Sequence, residues 1–164
     1  MLVFLQNLIE ALRNELQQYG EMLALLDQQR QIALQSGADE ILHSISEINA
    51  QSLSIQSARD RRQRAQSQLA QVLKKPDVTR FLDLLPCLPD SYQPLVSALV
   101  DENNQLLTQV RDRAQQNQVL LRRSVELMQR FISTLASDEQ NSQSGHETTV
   151  LTLEPNCSLY AALV

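Results

Sequence analysis

The residues of this chain that could do chemistry are two histidines and two cysteines, and they lie far apart. His43 follows Glu40 by three positions, the Glu-x-x-His spacing with which helical bundles hold carboxylate-bound metals. Such a site needs a second copy on a facing helix, and the sequence has none, so we interpret His43 as a surface residue just after a capping turn. Cys87 lies between prolines, while His146 and Cys157 lie in a polar C-terminal segment. Without clustered ligands or a nucleophile motif, the sequence predicts no metal, no cofactor and no enzymatic activity.

Composition and charge narrow the fold class and the kinds of partner that the chain could bind. Three glycines, five prolines and no tryptophan in 164 residues favour long helices over a packed sheet. The net charge of −5 disfavours nucleic acid, because phosphate binding needs a concentrated basic face. A basic cluster at residues 59–64 is interpreted as a solvated helix face with local ion pairs, the alternatives being an acidic protein partner and, more remotely, RNA.

No targeting or membrane segment is apparent. The apolar start of the chain has no preceding basic residue and is far too short to cross a bilayer. The two cysteines form no closely spaced pair. We therefore expect a reduced, cytoplasmic protein with no membrane insertion.

Two heptad rows, in which apolar residues alternate at spacings of three and four, predict a helical hairpin. The first helix should run from about Leu2 to Leu34 and the second to about Lys74, with a turn at Gly37 and a cap from Ser36 or Asp39. So short a turn requires antiparallel packing. The first row comprises Leu2, Leu5, Ile9, Leu12, Leu16, Tyr19, Leu23, Leu26, Arg30 and Ala33; the second comprises Ile41, Ile45, Ile48, Ser52, Ile55, Arg59, Arg62, Gln66, Leu69 and Leu73.

Polar residues interrupt the second row from Arg59 to Gln66, opposite the early part of the first helix. Polar positions in a helical interface weaken pairing but help to fix its register. Tyr19, in the first row, is interpreted as a core or interface aromatic with its hydroxyl group at the edge, the alternative being a recognition residue.

A proline-bounded bend leads to the last helix. Between Pro76 and Pro89, residues 78–85 predict a short helix that caps one end of the hairpin, with Phe81, Leu84 and Leu85 as its buried side. A third long helix should then run from about Ser91 to Ser137, capped by Asp90 or Ser91, with Pro94 in its first turn. Its heptad row comprises Val96, Leu99, Asn103, Leu106, Val110, Arg113, Asn117, Leu120, Ser124, Leu127 and Phe131.

A second apolar row accompanies the second half of this helix. If the hairpin covers both rows, the second row is core; otherwise it is a groove for an amphipathic cargo helix. We expect residues 1–137 to form the helical domain and residues 138–164 a flexible tail, whose apolar residues either help to bind cargo or lie back on the bundle. The candidate cargo-binding residues are Leu121, Val125, Met128, Ile132 and Leu135 in the helix, and Leu151, Leu153, Leu159 and Tyr160 in the tail.

Residues 8–34 resemble the opening helix of the FlgN-type flagellar export chaperones, and the order of later segments resembles that family over about 130 residues. Members often carry a tyrosine followed by glycine after the last helix, whereas Tyr160 stands here in Leu-Tyr-Ala-Ala. The matching residues are Glu15, Tyr19, Met22, Leu23, Leu25, Leu26 and Arg30 in the first helix, a turn near Gly37, Leu42, Ile45, Glu47 and Arg59 in the second, and Asn117, Leu120, Leu121 and Leu127 in the last.

The resemblance implies an all-α, elongated bundle that acts as a cytoplasmic type III flagellar export chaperone. Its cargo would be hook-associated proteins similar to FlgK and FlgL, kept unpolymerised for delivery to the export gate. A homodimer is left open, and no cofactor is implied. The competing hypothesis is a structural coiled-coil oligomerisation or scaffold module, in which the extra rows join copies of the chain; a small adaptor that binds through the basic patch is more remote.

Overall fold

A computed structural model describes residues 1–35, 38–76 and 80–140, with the side chains of 38, 131 and 135–140 outside the described set. The chain is all-α, as predicted, and no strand occurs among these residues. Helix α1 spans Leu2–Gln35 and α2 spans Ala38–Val72. A short helix α3, Phe81–Leu84, continues into a 3-10 turn, Leu85–Cys87, and α4 spans Gln93–Gln140.

The three long helices run up, down and up. Arg62 of α2 contacts Glu15 of α1, and Ser44, which is earlier in α2, contacts Gln29, which is later in α1. Helix α2 is therefore antiparallel to α1. Two asparagines of α4 define the other pairing. Asn103 donates to the carbonyl oxygen of Leu12 and Asn117 to that of Leu26, each 91 positions away, so α4 runs parallel to α1.

Helix α1 is the middle of the bundle and buries a wider stripe than its heptad row predicts. It packs against both α2 and α4, while the two outer helices make few contacts with each other. A helix between two neighbours must bury two adjacent rows. The predicted row is correct at Leu5, Ile9, Leu12, Tyr19 and Leu26. Leu16, Leu23 and Ala33 are only half-buried, and Leu2 and Arg30 are exposed. The residues buried in addition are Leu8, Glu15, Met22 and Gln29.

Two apolar cores stack along the bundle, with a polar layer between them. The lower core gathers Leu5, Leu8 and Leu12 of α1 with partners from every other element, and the upper core gathers Tyr19, Met22 and Leu26 with α2 and α4. Glu15 and Asn103 are buried between these cores. The interruption predicted from the polar residues of α2 is therefore present, and α1 and α4 contribute to it as well.

The short helix closes the lower end of the hairpin, as predicted. Leu84 is buried, and Phe81 and Leu85 pack against the lower core. Helix α2 ends at Val72, slightly before the predicted end, in a turn where Lys74 has φ 55°. The Lys75 and Lys74 amides donate to the carbonyl oxygens of Ala70 and Gln71, so a lysine occupies the left-handed position that usually holds glycine.

Two predicted helix caps differ in the structure. Asp39 lies inside the first turn of α2 and does not precede it, while Ser36 and Gly37 lie outside the described residues. At the start of α4, Asp90 accepts a hydrogen bond from the side chain of Gln93 at 3.2 Å, and that side chain also donates to the Leu88 carbonyl oxygen at 2.9 Å. Gln93 thus ties the bend to the helix.

Helix α4 extends beyond the end of α1. The offset of 91 positions places Glu126 level with Gln35, the last residue of α1. From Leu127 to Gln140, α4 continues past the end of α1 for roughly 20 Å. It also ends three residues after the predicted domain boundary at residue 137. The projection decides which apolar residues remain uncovered.

Candidate functional site

The projecting end of α4 presents a row of large apolar side chains to solvent. Leu127 is 65% exposed, Met128 45% and Ile132 64%. Met128 and Ile132 are four positions apart and therefore lie on one face of the helix, with Leu127 on the neighbouring face. Leu121 and Val125 continue the row toward the bundle and are half-buried. The row thus passes from the edge of the bundle into open solvent.

The first heptad row of α4 also loses its cover here. From the sequence, this row was interpreted as the one that packs on the hairpin. It is buried at Asn117 and half-buried at Leu120 and Ser124, but Leu127 is exposed. The reason is the register, because Leu127 lies beyond the position level with Gln35. Two neighbouring rows, and not one, are therefore available to a partner.

Several predicted cargo-binding residues lie outside the described part of the chain. Leu135 falls within α4, but its side chain is not among those described. The tail residues Leu151, Leu153, Leu159 and Tyr160 lie beyond Gln140, outside the described residues. The structure therefore brings together Leu121, Val125, Met128 and Ile132 of the predicted set. Leu127 joins them from the other row.

A second notable cluster is polar and lies in the layer between the two cores. Arg62 donates from Nε to Glu15 Oε2 at 2.6 Å, and the Tyr19 hydroxyl group donates to Glu15 Oε1 at 2.8 Å. Arg59 donates from Nε to the same hydroxyl group at 2.8 Å and lies over the Tyr19 ring. Glu15 is only 4% exposed, so one buried carboxylate holds two arginines of α2.

Tyr19 is a core aromatic, as predicted, but its hydroxyl group lies inside this cluster and not at the edge of the interface. Burial raises the pKa of Tyr19 above its ordinary value of 10.0; the hydrogen bond from Arg59 opposes this shift and the charge of Glu15 adds to it. The hydroxyl group therefore keeps its proton and donates a hydrogen bond to Glu15. Glu15 was not predicted as the partner of the arginines. The sequence does carry one signal for its burial, because Glu15 lies seven positions from both Leu8 and Met22, which are buried as well.

The basic cluster of α2 divides into two faces. Arg59 and Arg62 are half-buried and point toward α1, whereas Arg61 and Arg64 are exposed. Arg64 donates to the carbonyl oxygen of Asp60 at 3.1 Å. The interpretation as a solvated face holds for the exposed pair, and the other two arginines belong to the helix interface.

An open groove lies above this polar cluster, between α2 and α4. Its volume is about 620 Å³. Leu12, Glu15 and Tyr19 of α1 form the floor, and Phe81 lies at the end nearest the bend. Because the outer helices make few contacts with each other, the floor is reached from solvent. Four arginines line the groove: Arg59, Arg62, Arg80 and Arg111.

The residues first considered for metal chemistry do not converge in the described part of the chain. The His43 side chain is 76% exposed, as predicted, and lies 3.6 Å from Glu47. Cys87 is a half-buried free thiol whose Sγ lies 3.8 Å from the Asp83 carbonyl oxygen. Among the described residues, no group of three or more His, Cys, Asp or Glu could hold a metal ion. Likewise, no described helix combines the length and the apolar character needed to cross a membrane.

The three-helix bundle with an exposed apolar extension defines a class, that of elongated helical protein-binding modules. A family model described as FlgN protein matches residues 1–146. The chain therefore belongs to the FlgN family, a family of flagellar export chaperones, and the resemblance noted in the sequence is confirmed. No curated protein and no solved structure matches the chain at a significant level.

Proposed function

We propose that this chaperone binds hook-associated proteins similar to FlgK and FlgL through the projecting end of α4. One observation carries the proposal, namely the exposure of Leu127, Met128 and Ile132 on a helix that extends beyond its own bundle. Burying a large apolar side chain stabilises a complex by roughly 1.5 to 3 kcal/mol. An apolar row of this kind on a soluble helix is typical of a protein-binding surface.

The arrangement suits an amphipathic cargo helix. Such a helix lays apolar residues at positions i, i+3, i+4 and i+7 into a complementary surface. Leu121, Val125, Met128 and Ile132 repeat at spacings of four, three and four, so they match that period along one face. We expect Leu135 and the tail residues Leu151, Leu153, Leu159 and Tyr160 to extend the contact.

Covering the cargo helix explains the chaperone role. A cargo helix held on α4 would not be available to pair with another subunit. The complex would form in the cytoplasm and be delivered to the flagellar export gate. The bundle holds the base of this projecting end, because its two cores and asparagine contacts fix the earlier part of α4 in place.

Paired substitutions test the proposal. Met128→Asp with Ile132→Asp places two charges on the exposed row, and we expect binding of purified FlgK or FlgL from the same organism to fall at least about tenfold, since each lost contact is worth more than 1 kcal/mol. Both residues are exposed, so the melting temperature should hardly change. The matched control is Leu42→Asp with Leu53→Asp, two exposed leucines of α2 at 64% and 74%, which should bind normally.

The same variants address the scaffold hypothesis. If the row joins copies of the chain, light scattering will show an oligomer that Met128→Asp with Ile132→Asp dissociates, while cargo binding is unaffected. If both pairs of substitutions weaken cargo binding equally, the cargo site lies elsewhere and the proposal is wrong.

A further inference from the structure

We propose that the groove between α2 and α4 is a second binding site, for a partner segment that carries two carboxylates beside apolar side chains. This site lies on the lower half of the bundle, away from the projecting end of α4. It does not depend on the cargo assignment. The groove is cationic, Arg59 and Arg80 offer donors to a ligand, and the floor of the groove is partly apolar.

The groove is cationic in an acidic protein. Among the described residues, Arg59, Arg62, Arg80 and Arg111 line it and Glu15 is the only acidic one, whereas the chain as a whole carries −5. These described lining residues have three positive charges in excess. A surface of one sign with apolar walls focuses the local field and attracts ligands of the opposite sign.

The arginines of α2 still offer donors to a ligand. Arg59 uses Nε for the Tyr19 hydroxyl group, and within the described residues its Nη groups have no hydrogen-bond partner. Arg80 is exposed and forms no ion pair with a described carboxylate. A guanidinium group presents five N–H donors in a planar fork that matches a carboxylate. Arg59 is also held in place by the Tyr19 ring, 5.5 Å from its centroid, so little freedom is lost on binding.

The cationic residues lie at two levels of the groove. Arg59 lies at the level of Tyr19, and the offset of 91 positions places Arg111 beside Gly20, at nearly the same level. Arg62 lies at the level of Glu15 and contacts the ring of Phe81, which follows Arg80 in sequence. Tyr19 and Glu15 are one helical turn apart, roughly 6 Å. Two carboxylates with that separation, such as glutamates four positions apart on a helix, would meet both levels.

Apolar surface next to the two levels favours a protein segment over a small anion or a nucleic acid. Leu12 lies in the floor and Val100 and Leu107 in the α4 wall, with Leu82 at the rim, 76% exposed. A phosphate or a nucleic-acid backbone would leave this apolar surface unused. An amphipathic helix with an acidic edge uses both, as an added helix alongside α1.

The test uses two fluorescein-labelled helical peptides of 14 residues and the full chain. One peptide carries two glutamates four positions apart beside a leucine row, and the other carries glutamine at both positions. We expect the glutamate peptide to bind at least about tenfold more tightly by fluorescence anisotropy, because charge-assisted hydrogen bonds are the strong ones. Raising the salt concentration from 50 to 500 mM should remove most of this difference, as screening requires.

Arginine substitutions test whether the preference for the glutamate peptide arises in the groove. Arg59→Gln with Arg80→Gln should abolish the preference for glutamate, while Arg61→Gln with Arg64→Gln, an equal charge change on the exposed face of α2, should preserve it. Equal binding of the two peptides, or equal losses in the two double variants, would overturn the proposal.

A cross-linking arm identifies the occupant. With photoreactive p-benzoylphenylalanine in place of Leu82, the glutamate peptide should be captured on irradiation. Capture of residues 141–164 of the same chain, or of a second copy, when peptide is present in excess would show that the groove belongs to the tail or to a dimer and would overturn the partner assignment. The α4 variants Met128→Asp and Ile132→Asp should leave peptide binding unchanged, so the failure of one proposal does not imply failure of the other.

Discussion

Arg62 Nε and Glu15 Oε2 lie 2.6 Å apart across the interface of α1 and α2, and this ion pair lies where the apolar core is interrupted. The Glu15 side chain is 5% exposed and that of Arg62 25%, so the pair is largely removed from water. Because Tyr19 and Arg59 depend on the same carboxylate, the contact fixes how α2 is aligned on α1. A polar layer of this kind selects one register at some cost in stability.

Removal of the Glu15 charge should destabilise the bundle. Glu15→Gln leaves Arg59 and Arg62 without a counterion in a partly buried layer, and we expect the free energy of unfolding to fall by about 2 to 4 kcal/mol. Urea unfolding followed by circular dichroism measures this change. Glu10→Gln, an exposed position on the same helix, is the control and should change stability by less than about 0.5 kcal/mol. Similar effects of both substitutions would contradict a structural role for the pair.

The raised pKa of Tyr19 makes stability sensitive to alkaline pH. The neutral phenol is favoured in the folded state, so its contribution is fully present below the unfolded value of 10.0 and is lost as the pH rises through the folded pKa. Above about pH 10 the free energy of unfolding should therefore fall more steeply in the natural protein than in Tyr19→Phe. Parallel curves for the natural protein and Tyr19→Phe would refute the assignment.

Asn103 should tolerate leucine better than aspartate. Its Nδ2 donates to the carbonyl oxygens of Leu12 and Leu99, which lie inside helices and so also accept backbone hydrogen bonds. Its Oδ1 is buried with no hydrogen-bond partner in the described structure. Asn103→Leu therefore leaves no group unsatisfied, and stability should change by less than about 1 kcal/mol. Asn103→Asp places a charge against carbonyl oxygens and should cost more than about 2 kcal/mol at pH 7. Thermal unfolding of the two variants provides the comparison, and an equal loss would contradict it.

The helices were predictable because heptad spacing, one glycine turn and a proline-bounded bend leave few alternatives. The second buried row of α1 was not, because Glu15 and Gln29 are polar and hide its period. Their burial follows from α1 lying between two helices, which is a property of the assembled bundle. The exposure of Leu127 and Met128 was equally inaccessible, since it depends on the register between α4 and α1. Asn103 and Asn117 reveal that register in the structure. Nothing in the sequence indicates which carbonyl groups they contact.

The central claim is that cargo covers the projecting end of α4, and hydrogen–deuterium exchange of the full chain measures this directly. Amides at the end of an unsupported helix open readily, and a bound helix should slow their exchange. With saturating FlgK or FlgL from the same organism, we predict slower exchange over residues 121–134 and no such change in Met128→Asp with Ile132→Asp. Exchange that is unaltered over residues 121–134 while the complex is formed would contradict the account.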